Sequence, residues 1–316
     1  MDSLASPWHG GERTLHRRLG ITDQMEAVGQ RSIRNFMPDQ HRTFFAQLPF
    51  FVLGSADRDG GLWASLLDGP PGFVSSPEPR HLEIAALPDA ADKFAQSLTV
   101  GAPIGALGID LSVRRRNRVN GRVTRIDDRG FTLAIEQSFG NCPKYIARRD
   151  VLARAPAAPV RAEAITGFDA EALTLIGAAT TFFVASAHAA GALPDVSHRG
   201  GRPGFIGIGA DSTLTIPDYT GNFHFSTLGN MLLNPRIGLL FPDFATGDLL
   251  QLTGAGELDW DGPDIAALPG AQRLWRFRPS HGQWLHNAMR LRFAEPEDSP
   301  FSPVPSYDAK DEQGEH

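Results

Sequence analysis

The sequence predicts a mainly β chain with helices, α+β in class, built as two tandem, related β-barrels with a pseudo-twofold duplication. Three observations carry this reading. Residues 50–73 (FFVLGSADRDGGLWASLLDGPPGF) recur at 182–205 (FFVASAHAAGALPDVSHRGGRPGF) at an offset of 132. Each copy reads as strand, turn, strand, short strand, one helix and then a hairpin of longer strands, the pattern of a closed or split barrel. The 33 glycines and 24 prolines among 316 residues favour many turns and short strands over long helices.

The elements follow in order. Residues 1–40 form an N-terminal helical segment, with Leu15, Leu19, Met25 and Val28 at roughly helical spacing. Pro38-Asp39 starts a further helix that carries Phe44, Phe45 and Leu48, with Asp39 placed to cap it. The first barrel spans 41–153. An Ala- and Pro-rich linker, 154–164, falls where a domain boundary should. The second barrel spans 165–295. At the constant offset Phe50 pairs with Phe182, Phe51 with Phe183, Val52 with Val184, Ser65 with Ser197 and Gly72 with Gly204. One extra residue shifts the offset to 133, which pairs Ile104 with Ile237, Leu107 with Leu240 and Gly121 with Gly254. The Thr-Gly-Asp run near 246–248 suits the hairpin turn of the second copy. Residues 296–316 are polar and proline-rich, and are expected to be a disordered tail.

Composition excludes several classes. A formal charge of −6 argues against sequence-independent nucleic-acid binding, which needs a basic face. One cysteine, Cys142, permits no intrachain disulfide and no cysteine-pair zinc site. The opening residues lack a signal-peptide apolar core and no apolar run is long enough to span a membrane, so a cytoplasmic protein is expected. No His-x-x-x-His spacing suggests a metal, and no Gly-x-Gly-x-x-Gly sits between a strand and a helix.

The two copies differ most where chemistry would sit. The second has LTIPDYTGNFHFSTLGNMLLNPRIGLLF; the aligned stretch of the first is mostly alanine. A strand that ends in a glycine-containing turn and enters a helix offers free N–H groups, to which Ser and Thr hydroxyls add donors. That pattern suits either a bound phosphate or a capped polar turn.

This run, with Asn234-Pro235-Arg236 leading into Leu239-Leu240-Phe241, resembles the flavin-binding split-barrel family related to pyridoxamine 5′-phosphate oxidase. The stretch SFGNCPKYI (Ser138–Ile146) and the opening PWHGGE and FMPDQHRTFF segments resemble a two-barrel subgroup. The resemblance covers most of residues 8–293. It implies two split barrels with non-covalent FMN between them, one flavin per chain. By position it implies Ser226 and Thr227 at the phosphate, with Asp218, Tyr219, Thr220 and Asn222 beside it. Val196, Ser197, His198 and Arg199 would run along the ring, and Asn141, Cys142, Pro143, Lys144 and Tyr145 would close the site from the first half. The family's phosphate turn carries Ser-Arg-Lys; here Phe225-Ser226-Thr227 stands, so the phosphate would lean on hydroxyls, backbone donors and Arg199 or Arg202. The vitamin-oxidase activity itself is not expected.

The implied function is a flavin-dependent oxidoreductase on a small-molecule substrate, with electrons from NADH, NADPH or a partner reductase. The alternative is a carrier of flavin, deazaflavin or haem, with His188, His198 or His224 as axial ligand. A homodimer follows from family habit. No residue stands out as a catalytic acid or base. Arg114, Arg116 and Arg118 share a strand face and suit either an anion site or a solvated face paired with Asp127 and Asp128. Cys142 suits a thiol near the flavin or a small packed side chain, and His198 and His224 suit proton donors or structural hydrogen-bonding groups.

Overall fold

A computed structural model describes residues 6–303. Three helices open it: α1 (Gly10–Leu19), α2 (Thr22–Ser32) and α3 (Asp39–Gln47). A reciprocal capping box starts α1: the His9 ring accepts from Gly11 N–H, and Glu12 accepts from His9 N–H. Leu15 and Met25 are buried as their spacing predicts, whereas Leu19 is exposed. Asp39 does not cap α3. Pro38 holds the N-cap position with no side-chain bond, and Asp39, one residue inside, pairs with Arg42.

The first half continues with β1 (Phe50–Ala56), β2 (Leu62–Asp68), β3 (Val74–Ser75), β4 (His81–Ile84), α4 (Lys93–Ser97), β5 (Pro103–Asp110), β6 (Arg115–Asp127) and β7 (Gly130–Gly140). Its sheet runs β2-β1-β5-β6-β7-β4-β3. Two strands, β8 (Val151–Arg154) and β9 (Arg161–Ile165), take up the two ends of the expected linker and leave 155–160 between them. The second half follows as α5 (Ala170–Ala178), β10 (Thr181–Ser186), β11 (Asp195–Gly200), β12 (Gly207–Ile208), β13 (Leu214–Tyr219), α6 (Ser226–Leu233), β14 (Arg236–Pro242), β15 (Leu249–Asp259) and β16 (Ala271–His286). The order β11-β10-β14-β15-β16-β13-β12 repeats the first sheet strand for strand, so the chain is two tandem split barrels. Last, β17 (Leu291–Phe293) pairs back onto β8, and β9 extends the second sheet along β16.

Pairing corrects the sequence register by one residue in the first strand of each barrel. Val52 faces Leu107, and Phe183 faces Leu240. Since Leu107 corresponds to Leu240, Val52 corresponds to Phe183 and Phe51 to Phe182. Burial agrees. Phe51 and Phe182 lie inside their own barrels, while Phe50, Val52, Phe183 and Ala185 meet in a third core between them. A slip of one residue in a strand exchanges its two faces, so only this register keeps the faces consistent.

The shared core joins the halves closely. A Cβ on Gly105 would lie 2.2 Å from the Pro194 carbonyl oxygen, and one on Gly238 would lie 2.4 Å from that of Leu62. The two contacts are pseudo-symmetric copies of one close backbone approach. Fully burying each large apolar side chain here contributes roughly 1.5–3 kcal/mol, so the halves stabilise one another. Part of the expected tail is ordered: Glu297 exchanges backbone hydrogen bonds with Arg148. Residues 304–316 lie outside the described residues. Among the described residues no helix is long and apolar enough to cross a membrane.

Candidate functional site: a cationic cleft between the barrels

The cleft forms where β6 of the first half passes the start of α6 in the second. On β6 alternate residues share a face. Arg116 and Arg118 point into the cleft, while Arg115 lies over the Phe44 ring on the other side. Arg114 precedes the strand with a left-handed backbone (φ 54°) and pairs with Glu297, so the predicted trio is a pair.

Arg118 is 4% exposed. Its two terminal nitrogens donate to Ser226 Oγ (2.8 Å) and Ser197 Oγ (2.7 Å), and Asp195 lies 3.3 Å away. Thr227 Oγ1 also meets Ser197 Oγ, at 2.9 Å. Helix α6 starts with no side-chain cap, because its N-cap residue is Phe225. Its first N–H groups therefore lack the acceptor that a Ser, Asp or Asn would supply. Arg116 donates to the Cys142 carbonyl (3.0 Å) and to His198 Nδ1 (2.7 Å). Burial, then the neighbouring Arg118, pulls Arg116 down to about 9. Burial, then Arg116 and Arg199, holds His198 well below the usual imidazole range. His198 is thus neutral, its Nδ1 accepts, and its proton sits on Nε2 facing Thr181.

On the opposite wall Asp218 accepts from Arg199 at 2.6 Å and lies 3.7 Å from Arg273. Arg273 stacks on Phe225 and Trp260. In all, five cationic side chains (Arg116, Arg118, Lys144, Arg199, Arg273) line the cleft against one carboxylate, Asp218. The Nε atoms of Arg118, Arg199 and Arg273, and Nδ1 of the buried His224, are buried without a hydrogen-bond partner among the described residues. Five cations against one carboxylate in the lining leave positive charge in surplus, which favours an anionic ligand.

The loop leading to α6 is strained. Phe223 (φ 60°) and Phe225 (φ 56°) are both left-handed, which costs of order 1–3 kcal/mol each for bulky residues. The N-terminal segment holds it: His16 Nε2 meets the Phe223 carbonyl at 2.8 Å, and Trp8 lies edge-on to His224 at 5.1 Å. Behind Ser226, Glu12 is buried, and burial, then Asp195, holds its carboxyl well above the ordinary range.

Of the residues expected from sequence, Ser197, His198, Arg199, Asp218, Tyr219, Asn222, Ser226, Thr227, Asn141, Cys142 and Tyr145 line the cleft, which encloses about 960 Å³ counted to its open mouth. Val196 does not line it. It belongs to the core between the barrels, on the strand face opposite Ser197. Thr220 offers only its carbonyl, to Tyr145 Oη at 2.9 Å, and neither it nor Pro143 lines the cleft. Arg202 pairs with Asp298 instead of facing the ligand. Sequence reading passed over Arg273, Glu12 and His16, which reach the site from distant segments, and Phe223, which lies within the Asp218–Asn230 run but carries no polar side chain.

Fold and cleft together define a tandem split-barrel chain with a cationic cleft shared by its halves. No family model and no curated protein sequence matches it. Among solved structures it is similar to HupZ of Group A Streptococcus (16% identity, covering 35% of this chain and 89% of that one, TM-score 0.29). It is also similar to a Clostridium acetobutylicum protein of the pyridoxinephosphate oxidase family related to general stress protein 26 of B. subtilis (15%, 40% and 92%, TM-score 0.27). A third is general stress protein 26 from Bacillus anthracis (11%, 39% and 93%, TM-score 0.26). The fold assignment stands on this chain's own strand order and pairing.

Proposed function

We propose that the chain is an FMN-binding flavoprotein with one flavin per chain, and that it works as an oxidoreductase on a small molecule. The observation that carries this is the convergence of Arg118, Ser197, Ser226 and Thr227 on the uncapped start of α6, inside a cleft with five cations and one carboxylate. Those groups suit a dianionic phosphate. Asp218 and Asn222 would meet hydroxyl groups of the ligand, and Tyr145 and Tyr219, whose ring centroids are 5.0 Å apart, would pack over it.

The bound flavin would supply hydride or electron transfer; the chain supplies seating, orientation and restricted access. His198 has both ring nitrogens engaged, which favours a positioning role for it and argues against it as an axial haem ligand. Both walls come from one chain, so the reading needs no second copy. Electrons would come from NADH, NADPH or a partner reductase.

The test is the absorbance of freshly purified protein, with flavin measured in the supernatant after heating. About one FMN per chain is expected, followed by a screen of NADH and NADPH oxidation. Protein that carries no flavin and takes up no added FMN refutes the proposal.

A further inference from the structure

The pseudo-twofold gives the first half its own version of the cleft, and the two versions can be compared group by group. The counterpart of Arg118 is Gln251, because Arg118 faces Leu107 and Gln251 faces the equivalent Leu240. The counterpart of Ser197 is Ser65, since these face the equivalent residues Val184 and Leu53. At the helix start the two differ in kind. Helix α6 has Phe225 at its N-cap with no side-chain bond, whereas α4 has Asp92, which is 4% exposed.

Asp92 Oδ1 accepts from Ser65 Oγ (2.6 Å), from the Phe94 amide (2.9 Å) and from Gln251 Nε2 (3.1 Å). Gln251 also donates to Ser65 Oγ and the Ala64 carbonyl, and Gln283 donates to it at 2.8 Å. Burial pushes the Asp92 carboxyl up, and its three donors pull it back down. Around this cleft Asp68 holds Arg154, and Arg290 donates to the Ala155 carbonyl, so those cations are engaged. Residues Ala157, Ala158 and Val160 of the linker cross it.

We infer that Asp92 is a resident carboxylate standing where the working cleft takes its phosphate. The first half keeps the geometry of the site and fills its anion seat with a side chain. The partners of Asp92 then mark, by pseudo-symmetry, the seat in the second half: Ser197 Oγ, the amide at the head of α6, and the Arg118 guanidinium reaching over from the first half. Arg118 keeps two further partners, Ser226 Oγ and Asp195, and Asn120 and Asn230 hold Asp195 from behind. That the anion belongs to a flavin rests on the function proposed above; the seat does not.

Two experiments test this. In thermal unfolding, Asp92→Gly should melt several degrees below wild type. Sodium formate, a carboxylate of the missing size, should restore at least half the loss relative to sodium chloride at equal ionic strength, and wild type should not respond. Equal effects of formate and chloride on folded Asp92→Gly overturn the inference. If that variant does not fold, Asp92→Asn decides. It should also melt early, because a neutral amide oxygen accepts more weakly than a carboxylate from Ser65, Gln251 and the Phe94 amide; an unchanged melting temperature overturns the inference.

The second experiment titrates inorganic phosphate and, separately, FMN into wild type, Arg118→Gln and Ser197→Ala. One equivalent per wild-type chain is expected, with at least tenfold weaker binding of both probes in Arg118→Gln. Phosphate binding that depends on Arg118, without FMN uptake, supports the seat and refutes the flavin reading. FMN binding unaffected by either substitution refutes the seat and leaves the flavin reading standing. Two equivalents of FMN per chain refute the filling of the first half's seat, and binding of neither probe refutes the seat in the second.

Discussion

Two adjacent glycines at the start of α1 should respond to the same substitution with opposite signs. A Cβ on Gly11 would lie 1.9 Å from the Gly229 carbonyl oxygen and 2.7 Å from its carbon. Real contacts are at least 3 Å, so α1 and α6 must separate by about 1 Å. Overpacking of this kind costs roughly 1–3 kcal/mol, and alanine's better helix propensity offsets up to about 1 kcal/mol. The net loss for Gly11→Ala is about 1–2 kcal/mol, or about 2–4 °C in Tm at the roughly 2 °C per kcal/mol of a larger domain. A Cβ on Gly10 meets nothing within 4 Å, so Gly10→Ala should be neutral or raise Tm by about 1 °C. The displacement in Gly11→Ala also moves Ser226 and Thr227, so FMN affinity should fall about tenfold, about 1.4 kcal/mol. Differential scanning calorimetry and flavin-fluorescence titration measure both effects. Gly11→Ala with wild-type Tm and wild-type Kd would refute the close α1–α6 contact and its role in shaping the site.

Stability should fall in acid. Burial lowers His9, His41 and His224 to about 4, so the unfolded chain takes up their protons first, near pH 6.5. Their stabilisation is complete above about pH 6.5 and is lost as pH falls toward 4. Glu12 opposes this, since its raised pKa gives stability back as pH falls, but the histidines outnumber it. Urea midpoints at pH 7, 6 and 5 should decline, less steeply in His41→Gln; a flat profile in wild type contradicts the argument. Tyr145→Phe removes the exposed bond to the Thr220 carbonyl and should change stability by less than about 1 kcal/mol. It should nonetheless speed FMN release in stopped flow, and an unchanged release rate would count against Tyr145 as a side chain packed over the ligand. Gln251→Leu strips a buried carboxylate of a donor and should cost about 1–3 kcal/mol; an unchanged urea midpoint would contradict that.

The duplication, the split-barrel class and most of the cleft were legible because each half repeats its turns in order and the Asp218–Asn230 run is one continuous segment. The register of the first strand was not, since each half contains Phe-Phe-Val and a gapless match looks best; only the partner strand distinguishes inward from outward. Arg118 was legible as one of a basic run, and the offset of 133 already placed Gln251 opposite it. Arg114 was misplaced because a left-handed residue breaks the alternation before the strand begins. Arg273, Glu12 and His16 leave no local signal. They reach the site through the β13–β16 pairing and the α1–α6 contact, and tertiary contacts of that kind have no periodicity to read.

The joining of both barrels in one chain carries a genetic consequence. In a symmetric dimer every substitution appears twice, so a carboxylate that filled one cleft would fill the other and abolish both. Here residue 92 and residue 225 are separate codons, as are 118 and 251. One cleft can be given up to packing and stability while its twin stays open, and each can change without disturbing the other's ligands. Fusion turns a matched pair of sites into two independently adjustable ones.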